Sequence, residues 1–309
     1  MAIVLIRQDG KLDLWKNAFL QQYPDLPVFH CKESHLEEEI TMAIVWKHPE
    51  GSLAKYPNLK CIASFGAGVD FIFEDTSRPK NVDITRVIDL ALAADMSEYV
   101  VGAIFGYLKN MDLYRQYQHQ SSWDPKSYTR ISDHTVGIMG AGTLGMTLAK
   151  SLISMGFKVV GWSRHPKEGK GLKIYNGASG KTNFLNQTTI LVCLLPLTDA
   201  TKGILNKETL SLLPAGAYLI NVARGGHLVE DDLIPLIDSG RLSGACLDVF
   251  QQEPLPKEHP FWAHSKIKIT PHVASVSDPA SVVPQLVENY KRILRKEPLI
   301  HLVDPQKGY

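Results

Sequence analysis

One stretch, Thr135-Val136-Gly137-Ile138-Met139-Gly140-Ala141-Gly142-Thr143-Leu144-Gly145, limits the folds open to this chain more than any other. Val136, Ile138 and Met139 read as a short buried strand that stops at Gly140. Leu144, Leu148, Leu152 and Met155 then recur at helical spacing. The glycines between follow the pattern G-x-G-x-x-G. Gly140 permits the tight turn, Gly142 lets a pyrophosphate approach the backbone, and Gly145 lets the helix pack close to the sheet. The helix N-terminus offers N–H groups and a positive dipole end to the phosphates. A bare G-x-G-x-x-G carries little weight, but strand, turn and helix occur here in the required order, which predicts a dinucleotide site.

The rest of the chain is read around that turn. Residues 2–6, 42–46, 59–65 and 82–87 read as strands, and residues 52–56 as a short helical turn. Leu12, Trp15, Phe19 and Tyr23 mark one face of a helix that Pro24 ends. A long helix follows, with Asp95 and Glu98 as a capping box and Val100, Val101, Ile104, Phe105, Leu108 and Met111 as its buried stripe. It is expected to run to about residue 119, ahead of the break at Trp123-Asp124-Pro125. Beyond Val136, apolar runs at 157–162, 190–195, 217–222, 245–249 and 267–270 alternate with helical or crossover segments, which predicts a doubly wound parallel sheet. Pro235 falls inside the helix expected at 230–239. An interior proline costs about 3 kcal/mol, so that helix should start late or kink. Pro284 poses the same difficulty in the last helix, 279–296, which should return to the first domain. The expected fold is therefore α/β with two domains. A Rossmann-type dinucleotide-binding domain spans 97–283, and a smaller flavodoxin-like α/β substrate-binding domain is split over 1–96 and 284–309.

Composition removes several other functions. The 309 residues carry a formal net charge of +1 with no long basic run, so nothing points to nucleic acid. Lys291, Arg292, Arg295 and Lys296 read as the solvated face of a helix. The apolar run at the N-terminus is too short for a signal or membrane helix and no other stretch reaches membrane length, which predicts a cytoplasmic protein without a membrane partner. Cys31, Cys61, Cys193 and Cys246 lack C-x-x-C spacing and read as free thiols of a reducing compartment. The eleven histidines show no metal-ligand spacing, so no metal is expected.

Several polar residues stand at strand ends, where an open α/β sheet binds its ligands. About 20 residues beyond the glycines, a site for NAD ordinarily places a carboxylate on the ribose 2′-hydroxyl. This chain has Trp162-Ser163-Arg164, with Lys167 close behind and Glu168 beyond the expected strand end. A hydroxyl and cations at that place select NADPH, with NADH the weaker cofactor. The alternative is that Arg164 is a surface cation and the acidic partner lies elsewhere. Arg224, Glu253 and His272 each follow an apolar run. Taken singly, each is ordinarily a solvated or locally satisfied group, but together they could converge on one crevice.

The chain resembles the D-2-hydroxyacid dehydrogenase family at these residues. The matching pieces are Gly140-Ala141-Gly142-Thr143-Leu144-Gly145, Trp162-Ser163-Arg164, Leu194-Leu195-Pro196, Asn221-Val222-Ala223-Arg224-Gly225, Leu247-Asp248-Val249-Phe250, Glu253-Pro254-Leu255-Pro256 and Thr270-Pro271-His272-Val273-Ala274. They span nearly the whole second domain in the family's order. Gly66-Ala67-Gly68-Val69-Asp70 and the terminal Gly308-Tyr309 extend the similarity. The resemblance implies a catalytic set of Arg224, Glu253 and His272, and reduction of small 2-oxo acids such as glyoxylate and hydroxypyruvate. An imidazole ordinarily titrates near physiological pH and suits the proton donor. A carboxylate on its other nitrogen fixes the tautomer, and a guanidinium fork suits a substrate carboxylate. Formate dehydrogenases of the same superfamily carry Gln where this chain has Glu253, which disfavours formate.

The resemblance also implies cofactor contacts at Gly140, Gly142, Thr143, Leu144, Gly145, Ser163, Arg164, Lys167, Leu195, Pro196, Ala223 and Asp248, with Pro196 by a ribose and Asp248 at the nicotinamide carboxamide. Substrate contacts are implied at Trp46, Lys47, Ala67, Gly68, Arg224 and His272, the Gly66–Gly68 amides sharing the carboxylate. A homodimer is implied, in which Trp123 approaches the partner's site. Trp46 and Trp123 can each also be read as core. Rival expectations are a reductase of a bulkier acid such as phenylpyruvate, closing two domains over the same kind of cleft, and a dinucleotide-sensing interaction protein on the same fold.

Overall fold

The computed structural model describes residues 1–166, 169 and 171–309. The chain divides into two compact units, Met1–Leu92 with Ser277–Tyr309, and Ala93–Val276. Both boundaries fall earlier than residues 96 and 284, for reasons given by the helices that carry them. The C-terminal helix Pro279–Arg295 is one continuous element whose Val282, Val283, Leu286, Val287, Tyr290 and Ile293 all enter the first unit's core. Pro284 therefore does not divide it.

The first unit contains β1 (Ala2–Arg7), α1 (Leu12–Gln22), β2 (Val28–His30), β3 (Ile40–Trp46), β4 (Cys61–Ser64), α2 (Asp70–Glu74) and β5 (Asp83–Thr85). Its strands form a parallel sheet in the order β2-β1-β3-β4-β5, the flavodoxin-like arrangement. Alternate residues of β1 enter two different cores. Ile3 and Leu5 join Trp15, Phe19 and Leu286 on one face, while Ala2, Val4 and Ile6 join Tyr56, Ile72 and Val303 on the other. A sheet covered on both faces explains why β1 reads as an unbroken apolar run. Residues 52–56 lie in turns, not a helix.

The long helix anticipated from the sequence is two helices, α3 (Leu90–Leu108) and α4 (Met111–His119). Asn110 adopts a left-handed conformation between them, φ 54°, which ends the first. The start is also earlier than Asp95: Asp89 Oδ1 accepts from the Ala91 N–H at 2.9 Å, and Leu92, Ala93 and Met96 are already buried. Asp95 is thus an interior residue and the capping role falls to Asp89.

The second unit continues with β6 (Thr135–Met139), α5 (Thr143–Ser154), β7 (Lys158–Ser163), β8 (Lys173–Asn176), α6 (Gly177–Leu185), β9 (Ile190–Cys193), α7 (Lys207–Leu210), β10 (Ala217–Asn221), α8 (Glu230–Asp238), β11 (Leu242–Leu247) and β12 (Ile267–Ile269). The parallel order β12-β11-β10-β9-β6-β7-β8 is the doubly wound Rossmann arrangement extended by one strand. Its direction of winding reverses between β6 and β9. Helix α8 begins at Glu230 despite Pro235. That proline is the sixth helical residue, so its missing N–H forfeits only a bond to the first turn. The edge strands β2 and β8 went unread in the sequence because neither carries a continuous apolar run.

Candidate active site

The glycine turn lies at the β6/β9 switch point. Gly140 has φ 112°, and a Cβ there would stand 2.6 Å from the Leu194 carbonyl oxygen. At Gly145 a Cβ would stand 2.0 Å from the Gly140 carbonyl oxygen, so helix and turn are in direct backbone contact. A Cβ on Gly142 would meet nothing within 4 Å. Gly142 is also the N-cap of α5 and no side chain caps that end. The helix N-terminus therefore opens beside Gly142 and an exposed Thr143 with its first-turn N–H groups uncapped by any side chain, the arrangement a pyrophosphate requires. These residues fit the dinucleotide the motif implies.

At the end of β7, Trp162 is buried and its indole N–H donates to the Gly177 carbonyl at 3.0 Å. The Ser163 hydroxyl lies 2.6 Å from the His165 carbonyl oxygen and 3.0 Å from Asn176 Oδ1. Its proton is thus used within its own loop. Arg164 donates to Thr198 Oγ1 at 3.3 Å from one nitrogen. A cavity of about 350 Å³ beside it is lined by Trp162, Arg164, Gly177, Lys181, Lys202 and Asn206 among others. Lys181 and Lys202 did not stand out in the sequence, since neither adjoins a strand end. Lys167 lies outside the described residues, as does Glu168. On the far side of the switch point, Leu195 is buried, and the Pro196 carbonyl accepts from Thr201 Oγ1 at 2.7 Å.

Arg224, Glu253 and His272 follow β10, β11 and β12, three neighbouring strands, so all three leave the same edge of one sheet. Backbone contacts hold each in place. Asn221, fully buried, donates to the Arg224 carbonyl at 3.0 Å and accepts from the Ala223 N–H at 3.3 Å. Gly225 packs so tightly that a Cβ would stand 1.9 Å from the Phe250 carbonyl carbon. The Arg224 guanidinium donates to the Ala223 carbonyl at 2.7 Å. Glu253 Oε1 accepts from the Phe250 N–H at 3.2 Å, and its Oε2 lies 2.8 Å from His272 Nδ1. The imidazole and carboxylate are therefore in contact, both half-buried. His272 itself has a left-handed backbone, φ 56°.

Asp248 is 1% exposed and its carboxylate accepts from the Thr270 hydroxyl and from the Val273 and Ala274 N–H groups. These bonds tie it to the segment that carries His272.

In the first unit, Trp46 ends β3 and sits edge-on to Phe71, ring centroids 5.3 Å apart, while Lys47 is exposed with φ 44°. The turn after β4 differs from the sequence reading in one respect. The Gly66 N–H donates to the buried Ser64 hydroxyl at 3.1 Å, and that hydroxyl donates to the Gly68 carbonyl at 2.7 Å. Gly66 is thus not available to a substrate carboxylate, and the candidate donors are the N–H groups of Ala67 and Gly68. The neighbouring His48 is buried with its Nε2 3.1 Å from Asp75 Oδ2. Burial lowers the His48 pKa, against the hydrogen bond to Asp75. The Asp75 carboxyl is itself burial-raised, but bonds from Ser77, His48 and Gly51 leave it below the ordinary range. The physical picture is a neutral ring donating to a carboxylate.

Trp123 is 97% exposed in the irregular stretch 122–130, which removes the core reading. Among the described residues no cluster of His, Cys, Asp or Glu is arranged to hold a metal ion, and no helix is long and apolar enough to cross a membrane. Cys61, Cys193 and Cys246 are buried and Cys31 is half-buried, all free.

Residues 101–274 match the family described as D-isomer specific 2-hydroxyacid dehydrogenase, NAD binding domain. The chain belongs to the D-isomer specific 2-hydroxyacid dehydrogenase family, a family of oxidoreductases. It is 40% identical over 272 residues to glyoxylate/hydroxypyruvate reductase A of Serratia proteamaculans, covering 86% of this chain and 87% of that one. Among solved structures, a D-isomer specific 2-hydroxyacid dehydrogenase from Xanthobacter autotrophicus Py2 in complex with NADPH and MES superposes with a TM-score of 0.94 at 36% identity, covering 100% and 99% of the two chains. An NADPH-dependent glyoxylate/hydroxypyruvate reductase from Sinorhizobium meliloti, in complex with NADP and sulfate, gives a TM-score of 0.92 at 35% identity with both chains fully covered.

Proposed function

We propose that this protein is an NADPH-dependent reductase of small 2-oxo acids, taking glyoxylate to glycolate and hydroxypyruvate to D-glycerate, with NADH the weaker cofactor. The observation that carries the reading is the 2.8 Å contact between Glu253 and His272 on the sheet edge that also bears Arg224. NADPH, when bound, supplies the hydride that adds to the substrate's carbonyl carbon. His272 protonates the carbonyl oxygen from Nε2, because Nδ1 is held by Glu253. Glu253 keeps the imidazole in that tautomer and stabilises the imidazolium from which the proton leaves. Arg224 holds the substrate carboxylate and polarises the carbonyl.

For the cofactor, Gly140, Gly142, Thr143, Leu144 and Gly145 take the pyrophosphate, and Leu195, Pro196, Ala223 and Asp248 the remaining contacts. Arg164, with Ser163 and Lys167, accepts the 2′-phosphate, and the remaining guanidinium donors of Arg164 support that role better than the Ser163 hydroxyl does. Trp46, Lys47, Ala67 and Gly68 are retained as substrate residues. The reading is of a cytoplasmic homodimer, to which Trp123 contributes. Free thiols at all four cysteines suit such a compartment.

The test is NADPH absorbance followed against a panel of 2-oxo acids. Turnover of glyoxylate and hydroxypyruvate is expected. Preference for phenylpyruvate would shift the substrate to a bulkier acid, and tight NADPH binding without turnover would make the protein a sensor.

A further inference from the structure

Asp248 is engaged through its carboxylate and its backbone carbonyl by the segment that carries His272. Its Oδ1 accepts from the Thr270 hydroxyl at 2.5 Å and the Val273 N–H at 2.9 Å, and its Oδ2 from the Ala274 N–H at 2.9 Å. Its backbone carbonyl accepts from the His272 N–H, also at 2.9 Å. One aspartate therefore holds the residues on both sides of the imidazole and the backbone of the imidazole itself. A second hydroxyl, from Tyr99 on α3, lies 2.5 Å from Thr270 Oγ1.

Proton counting orients this chain. A carboxylate has no hydrogen to donate, so the single Thr270 proton goes to Asp248. Thr270 Oγ1 must then accept, and Tyr99 must donate. Burial pushes the Tyr99 hydroxyl far above its ordinary range, so it keeps the proton that this role needs. Each donor in such a chain strengthens the next, and the last bond is assisted by the carboxylate charge.

We propose that Tyr99 and Thr270 are positioning residues for His272, acting through Asp248. The inference rests on His272 being the proton donor of the reaction proposed above. His272 is a non-glycine residue in the left-handed region, a strained conformation that persists only where neighbours over-determine it. Glu253 fixes the ring from one side. The Tyr99–Thr270–Asp248 chain fixes the backbone from which the ring projects. Removing the Tyr99 hydroxyl leaves Thr270 without its donor. Removing the Thr270 hydroxyl takes from Asp248 its shortest bond and loosens the turn within two residues of the imidazole.

Tyr99→Phe and Thr270→Val each delete one hydroxyl with little change of shape, and Thr270→Ser restores it. Misplacing a reacting group by a fraction of an ångström to one ångström costs up to about a hundredfold. We therefore expect kcat on glyoxylate to fall about tenfold in Y99F and ten- to a hundredfold in T270V, with KM for glyoxylate and NADPH within about threefold and T270S recovering most of the loss. A second readout needs no turnover. The ring 15N resonances of His272, identified by their disappearance in H272Q, should report one tautomer in the wild type and a mixture in T270V, with a smaller change in Y99F. If T270V does not fold, Y99F supplies both readouts. Unchanged kcat and unchanged ring resonances, with only a lowered Tm, would make the chain a brace for the fold and overturn the proposal. If the wild type reduces no 2-oxo acid, the proposed function falls instead, and the resonances still decide whether the chain positions the ring.

Discussion

His272 and Glu253 are 19 positions apart in sequence, yet their side chains meet because β11 and β12 are neighbours in one sheet. Replacing His272 with Gln retains a polar side chain and removes the proton donor. Turnover should fall about 10²–10⁴-fold with cofactor affinity retained, measured by steady-state kinetics and by NADPH fluorescence titration. Replacing Arg164 with Ala should raise the NADPH Kd by about tenfold or more and leave the NADH Kd within about twofold, since only the former carries the phosphate that a guanidinium recognises. Equal losses would place the phosphate elsewhere, with Lys181 and Lys202 of the adjoining cavity the next residues to change. The strand-end placement of His272 and Arg164 was legible in the sequence because each follows an apolar strand. Ser64, Tyr99 and Thr270 were not, because their roles rest on hydrogen bonds that appear only after folding, the Tyr99–Thr270 pair spanning 171 positions.

The element whose sequence said most is the turn from β6 into α5. Its three glycines do different work, which predicts different costs. Gly145→Ala would drive a methyl into the Gly140 carbonyl at 2.0 Å. The expected result is a destabilisation of about 1–3 kcal/mol in urea unfolding, with NADPH affinity lost through the displaced turn. Gly142→Ala meets open space in the protein alone, so stability should hold while NADPH affinity falls. Helix limits were less legible than this turn. Asp95 with Glu98 satisfies the pattern of a capping box, but local pattern cannot outweigh the burial of Leu92 and Ala93, which begins α3 at Leu90. The prolines of α8 and of the C-terminal helix misled for the opposite reason: each sits one turn in, where little is forfeited.

Across the whole molecule, two parallel sheets each divide their side chains between two cores, and the alternation of buried runs with helical segments was enough to read that class. The edge strands β2 and β8 and the exact limits of the two units were not readable, because strands without a continuous apolar run and helix ends are decided by what packs on them. Stability should share a common pH dependence. His48, His134 and His301 lie in different parts of the chain, and burial lowers all three below the ordinary value of 6.5. The unfolded chain therefore binds protons that the folded chain refuses as pH drops below about 6.5. Stability is fully present above that value and declines beneath it. Asp75, lowered from 3.8, adds a further loss below about pH 4. Tm measured from pH 8 to pH 4 should fall progressively below 6.5, and His48→Gln should flatten the first part of that fall.

The positive φ of His272 has a bearing on how variants at this position should be judged. Any replacement alters two properties at once, the ring's chemistry and the cost of an uncommon backbone twist. Glycine and asparagine accept that twist most readily, whereas valine, isoleucine and threonine resist it. In a saturation library, inactive variants with small or amide side chains would report the missing imidazole, while inactive β-branched ones would mix it with a distorted main chain.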